Sequence, residues 1–288
     1  MNAAKAGRLP SSLPIGMFDS GVGGLTVLHE CLVSLPEESF LYLGDSARFP
    51  YGTKRTAELR GYVAQITRHL LDRGSKLIVI ACNSATAAGL ETARELAADN
   101  AVEVVGVVEP AAEVAAAITD TGRIGILATQ ATVVSGAYRR ALMKQGRELV
   151  VTEEAASELA TIIQNGFPFD EHVVETVRSY CAPLKEADVD TVILGSTHYP
   201  LVAPLLQRTL GRSVRLVGAG HAVAATVQRS LEARGLATAA TQEGDYRFLC
   251  TGDVDSFREL GTRFLQMPLD HVEHVALPAG PVDLPERH

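Results

Sequence analysis

The chain has 288 residues, 47% of them hydrophobic and 21% charged, with a net charge of −8. That length can hold two α/β lobes with ample core, and the acidic balance leaves no domain-wide basic surface, which excludes a nucleic-acid partner. No apolar run reaches membrane-spanning length, and residues 1–13 carry Lys5 and Arg8 without a signal peptide's apolar segment, so a cytoplasmic protein is expected. Its four cysteines, Cys31, Cys82, Cys181 and Cys250, lack zinc-site spacing. Unpaired thiols and no metal site are therefore expected.

Short apolar runs at 14–18, 40–43, 77–81, 102–108, 124–128, 191–194, 214–217 and 246–250 read as buried strands. Helical patterns lie between them at 85–97, 110–118, 138–144, 172–184, 201–210 and 222–234. Thr53 is placed to cap a further helix whose Leu59, Tyr62, Val63, Ile66 and Leu70 share one face. Such alternation implies an α/β fold of parallel sheets covered on both faces. The expected first lobe is 14–109 plus 213–266 and the second 110–212, with crossovers at Glu109-Pro110 and Gly211-Arg212. Residues 1–13 and 267–288 are expected to be loose termini, the latter holding Pro268, Pro278, Pro281 and Pro285.

Ligands of open α/β sheets bind beyond the carboxyl ends of the strands, and four polar turns fall there. Asp19-Ser-Gly-Val-Gly-Gly24 opens a helix whose free amides could hold an anion, or it is simply a tight connection. It lacks the P-loop ending and the dinucleotide glycine spacing. Asp45-Ser-Ala-Arg-Phe-Pro-Tyr-Gly52 is either a turn, with Arg48 paired to a surface acid, or a lid whose Tyr51 meets a small polar ligand.

Cys82 ends the apolar run Lys76-Leu-Ile-Val-Ile-Ala81 and begins a helix, with Asn83 and Ser84 as its cap. A helix start stabilises a thiolate, so a lowered pKa is expected there, although most buried cysteines are inert. The same strand-then-turn pattern recurs at Asp190-Thr-Val-Ile-Leu-Gly-Ser-Thr-His-Tyr-Pro200, with Ser196 in place of the thiol. Two such seats could press on one substrate from opposite faces. His198 either fills its turn by bonding backbone or titrates near neutrality as an acid/base group. Serine-hydrolase chemistry is disfavoured because Ser196 is not in a Gly-x-Ser-x-Gly elbow.

In order, Phe18-Asp-Ser-Gly-Val-Gly-Gly-Leu25, Gly44-Asp-Ser-Ala-Arg-Phe-Pro-Tyr-Gly52, Ala81-Cys-Asn-Ser-Ala-Thr86, Gly106-Val-Val-Glu-Pro110, Ala128-Thr-Gln-Ala-Thr-Val133 and Leu194-Gly-Ser-Thr-His-Tyr-Pro200 resemble glutamate racemase. The resemblance spans nearly the whole chain. It implies two α/β lobes with the active site in the cleft between them, and cofactor-independent interconversion of L- and D-glutamate for peptidoglycan synthesis. By position it implies Cys82 as the first catalytic cysteine with Asp19 assisting, and Ser196 at the second, assisted by His198. It implies substrate contacts at Asp19, Ser20, Tyr51, Gly52, Asn83, Ser84, Thr197 and His198. Glutamate is the expected small-molecule partner, a homodimer is allowed, and no membrane is involved.

The chain departs from that family at the second thiol. A serine hydroxyl is a far weaker acid than a thiol of pKa about 8.5, and losing one general acid/base group costs about 10²–10⁴-fold. Ser46 and Ser84 stand where threonine is usual. Ala156, Ser157 and Gln164 replace a cysteine, a proline and a glutamate in the segment 155–164. Weakened racemisation, a one-base isomerase or lyase of the same superfamily, and a non-catalytic acidic amino-acid-binding paralogue all stay open from the sequence.

Overall fold

The computed structural model describes residues 9–166 and 170–278. The first half runs β1 (Ile15–Asp19), α1 (Leu25–Ser34), β2 (Phe40–Gly44), α2 (Thr56–Asp72), β3 (Leu77–Ile80), α3 (Asn83–Ala98), β4 (Glu103–Gly106) and α4 (Val108–Ile118). Next come β5 (Arg123–Ala128), α5 (Gln130–Ser135), α6 (Ala137–Met143), β6 (Val150–Ala155), α7 (Ser157–Gln164), α8 (Glu171–Glu186), β7 (Thr191–Gly195) and α9 (Ala203–Leu210). The chain closes with β8 (Arg215–Val217), α10 (Ala219–Arg234), β9 (Tyr246–Cys250), α11 (Val254–Leu265) and β10 (Val272–His274).

The strands form two sheets, ordered β10-β9-β2-β1-β3-β4 and β6-β5-β7-β8, and every pairing is parallel. These are the two α/β lobes that the alternation implied. Every residue of β1, β2, β3 and β7 is buried, as continuous apolar strands covered by helices on both faces should be.

Four expectations change. Residues 215–217 pair with β7 (Thr191↔Arg215), so they belong to the second sheet rather than the first. A three-residue apolar run carries no sign of which sheet it will join. The chain passes from sheet to sheet at Val107, between β4 and α4, and returns at Gly218, between β8 and α10. The second change is at the C-terminal side, where β10 pairs with β9 (Val272↔Phe248) and Gln65 Nε2 donates to Pro278 O at 3.0 Å. Residues 272–274 are thus held by a ladder and Pro278 by the Gln65 side chain; Pro281 and Pro285, like residues 1–8, lie outside the described residues.

Third, Thr53 sits in a 3₁₀ turn, and α2 starts after Arg55, whose backbone N–H donates to Glu58 Oε2 at 3.2 Å. Last, the sequence reading had no element at α5, β6, α7, α11 or β10. β6 is a half-exposed edge strand reading Val-Val-Thr-Glu-Glu-Ala, which breaks apolar continuity. α11 did offer a signal, since Phe257, Gly261, Phe264 and Leu265 fall on its buried face at helical spacing.

Candidate active site

β2, β1 and β3 are neighbours in the first sheet, and β5 and β7 in the second. Their carboxyl ends therefore place the turns at 45–53, 19–24, 82–84, 129–132 and 196–198 close together. Between them lies a narrow cavity. Ser20, Tyr51, Gly52, Cys82, Asn83 and Ser84 line it from the first lobe, and Ser196, Thr197 and His198 from the second. Asp19 does not line it: the carboxyl is wholly buried behind the Ser20 turn. A wider cleft, lined by His29, Glu30 and His221, backs onto the same Ser196–Thr197 wall. The thiol, the serine hydroxyl and the histidine converge on the smaller one.

Of the glycines after β1, Gly23 serves the seam between the lobes and Gly24 the packing within the first lobe. A Cβ on Gly23 would overlap Thr197 Oγ1 and the His198 ring, and one on Gly24 would meet Asp19 Cβ and Tyr42 Oη. Gly52 does the same against Thr129, where a Cβ would lie 2.8 Å from Thr129 Cβ. No larger residue lets the two sets of turns approach so closely. The loop at 45–53 is held by Asp45, fully buried, which accepts from Tyr51 Oη, from Arg48 Nε at 2.6 Å and from Thr251 Oγ1 at 2.8 Å. Arg48 thus pairs with a buried acid rather than a surface one, and its guanidinium also lies 4.1 Å over the Tyr62 ring.

Cys82 itself is the N-cap of α3, its Sγ accepting from Ala85 N at 3.5 Å. The expected caps look elsewhere. Asn83 Oδ1 accepts from Tyr138 Oη at 2.6 Å, and Ser84 Oγ lies 2.8 Å from Thr129 Oγ1, so both reach across the seam. The expected fall in the Cys82 pKa is also reversed. Burial pushes the thiol up to about 12, with the Asp19 charge adding to it, against donors from Ala85 and Ser20. Desolvation of a thiolate outweighs one helix start. Burial likewise raises Asp19, despite Gly21 N donating to Oδ2 at 3.0 Å.

On the other side, Ser196 Oγ accepts from the His198 backbone N–H at 3.4 Å, and no serine–imidazole couple forms there. The His198 ring sits against Phe49, with centroids 5.6 Å apart, and meets Phe264 edge-on at 5.3 Å. Its Nε2 is 2.8 Å from Gln164 Oε1 and its Nδ1 3.4 Å from Thr197 Oγ1. Burial lowers its pKa to about 4, so it does not titrate near neutrality as expected.

The sequence reading did not single out Phe49, Thr129 or Phe264 as site residues. Thr129 stood in the quoted run 128–133, whose position after a strand was the available signal. Phe264 depended on finding α11. No group of three or more His, Cys, Asp or Glu side chains that could hold a metal occurs among the described residues, and all four cysteines are free and buried.

The sequence profile of the Asp/Glu/Hydantoin racemase family matches residues 27–227. The chain belongs to that family. A glutamate racemase of Bacillus cereus is 38% identical over 263 residues, covering 91% of this chain and 97% of its own. The structure of a glutamate racemase isoform from Bacillus anthracis superposes with a TM-score of 0.89 at 34% identity, covering 94% of this chain and all of that one (100%). The Francisella tularensis glutamate racemase, solved in complex with D-glutamate, gives 0.87 at 30% identity, with 94% and 100% coverage. Two parallel-sheet α/β lobes are thus what this chain shares with those structures.

Proposed function

We propose that the chain is a cofactor-independent glutamate racemase that supplies D-glutamate for peptidoglycan in the cytoplasm, with turnover weakened by Ser196. One observation carries the reading: Cys82 and Ser196, each beyond an interior strand of its own sheet, line one small cavity. The relatives' activity and the D-glutamate in the Francisella enzyme supply the substrate class.

Racemisation takes the Cα proton from one face and returns one to the other. In this reading Cys82 serves the first face. As a thiol it is an acid ready to donate, and as a base it must first lose its proton in a site that disfavours the thiolate, with Asp19 as the neighbouring acceptor. Ser20, Tyr51-Gly52, Asn83-Ser84 and Thr197 bind the carboxylates and amine through hydroxyl, amide and backbone N–H groups. Ser196, near-isosteric with the missing thiol, holds the second face with His198 beside it. The scarcity of its alkoxide at neutral pH limits the rate.

Hydrogen exchange at Cα in heavy water, run separately on L- and D-glutamate, tests this. Exchange of both enantiomers with loss of optical activity is expected, and no exchange of either sinks racemase activity on glutamate. A second reading, a one-base isomerase or lyase, is favoured by Cys82 being the only thiol lining the cavity. It predicts a single enantiomer from a prochiral acid. Glutamate binding by calorimetry without exchange would instead mark a binding paralogue. A homodimer belongs to the proposal and is checked by sedimentation.

A further inference from the structure

Asn83 and Ser84, the two residues after Cys82, both bond across the seam, but to different effect. Ser84 Oγ meets Thr129 Oγ1 at 2.8 Å and Thr132 Oγ1 at 3.3 Å. Hydroxyls exchange donor and acceptor roles, so that corner of the cavity adapts to whatever it meets. Asn83 Oδ1 instead accepts from the Tyr138 phenol at 2.6 Å. Tyr138 is 1% exposed, and burial raises its pKa, so the phenol keeps its single proton and needs an acceptor for it. A reversed amide would turn Nδ2 to the phenol and leave that buried proton unpaired, which is costly.

Asn83 Nδ2 then has no partner among the described residues. Nor is it sealed off, as Thr67 Oγ1 and Thr191 Oγ1 are, so it opens on the space that Asn83 lines together with Ser196 and Thr197. We propose that Tyr138 is a positioning residue that sets specificity: it holds the Asn83 amide with Nδ2 turned to the cavity, as a fixed donor to one carboxylate of the substrate. This rests on the reading of the cavity as a site for glutamate.

Tyr138 is itself placed by the second half-site. α6 carries it and packs on α4, and a Cβ on Gly195 would lie 3.2 Å from Tyr138 Cε2. Gly195 precedes Ser196 and Asn83 follows Cys82, so the ring reaches from one seat to the other. A carboxylate offers acceptor oxygens only, whereas a carboxamide also brings N–H donors. An amide free to turn would meet those donors with its oxygen, and the distinction would be lost. Held by Tyr138, Asn83 favours the acid over its amide, a preference that the adaptable hydroxyls beside it do not supply.

NMR of the full chain with asparagine labelled in carbon-13 and nitrogen-15 reads the amide directly. The only asparagines are Asn2, Asn83, Asn100 and Asn165, and Asn83→Asp assigns the signals. Tyr138→Phe keeps the ring against Gly195 and removes the O–H alone. Without ligand, that loss should move the Asn83 Cγ signal upfield and leave its NH2 protons nearly in place. NH2 protons that respond while Cγ does not, or neither responding, overturn the proposal. In the wild type the NH2 protons should exchange with water, and a group shielded from water overturns the proposal without any variant.

Calorimetry then reads specificity. Tyr138→Phe should weaken D-glutamate by about 3–10-fold, as the lost preorganisation of one charge-assisted bond does. Glutamine or isoglutamine, whichever carries its amide at Asn83, should be weakened less. KM for Cα exchange should follow the glutamate affinity, with kcat within about twofold. A lower melting temperature with unchanged selectivity would make Tyr138 merely structural and overturn the proposal. If the amide is oriented as stated but D-glutamate neither binds nor moves its protons, the glutamate reading falls and the hold of Tyr138 on Asn83 stands.

Discussion

The two half-sites begin alike and diverge after one residue. Both follow an interior parallel strand, β3 in one sheet and β7 in the other. At Cys82 the helix starts at once, with Asn83, and the side chain itself becomes the cap. At Ser196 a 3₁₀ turn over Tyr199–Val202 intervenes, and α9 begins only at Ala203. The first half-site therefore offers a sulfur held by helix amides, while the second offers a hydroxyl held by a turn amide and a neutral ring. The same backbone plan gives one seat a thiol and the other only a hydroxyl.

Removing the stronger seat should have the largest effect. Cys82→Ala is expected to lower Cα exchange by at least about 10²–10⁴-fold for both glutamate enantiomers while binding by calorimetry persists. Equal exchange in variant and wild type would mean that the halves are not unequal in this sense. Making the seats alike is the complementary step. Ser196→Cys should raise racemisation, followed by circular dichroism, by about 10²–10⁴-fold. A gain of less than threefold would shift the deficit to Gln164 and its neighbours.

A smaller contrast lies in His198, which has no counterpart beside Cys82. The ring titrates near 6.5 when unfolded and at about 4 when folded. A depressed folded value means that its stability is complete above pH 6.5 and is lost as the pH falls toward 4. The difference is about 3 kcal/mol between those limits. Asp19, raised in the folded state, acts with the opposite sign and shallows the net slope. Urea unfolding between pH 4 and 7 should show His198→Asn with less acid destabilisation than wild type. Smallest is the seam itself: Gly23→Ala forces Thr197 and His198 to move, costing about 1–3 kcal/mol in thermal unfolding.

Much of this was legible in the sequence because parallel strands and their turns are local signals. The runs ending at Asp19, Cys82 and Ser196 gave the strand ends directly, and the ordered motifs gave the family. Sheet membership was not legible: Arg215–Val217 looks the same whether it extends one lobe or the other. Nor were the charge states. Cys82 at a helix start and His198 in a turn suggested groups poised near neutrality, whereas both are governed by burial, which depends on the opposite lobe. Asp45, read as the start of a polar loop, is buried by contacts with Thr251, more than two hundred residues along the chain.

The crossings at Val107 and Gly218 carry a mechanical consequence. Each is a single residue between an element of one lobe and an element of the other, and α4 and α10, which leave them, pack together. A plate fastened to its frame at two neighbouring points swings most easily about the line through them. Any parting of the lobes would have to turn on these two crossings. Such a parting would lift Thr197 and His198 away from Gly23 and Asp19, so opening the cavity would also break the contact between the half-sites.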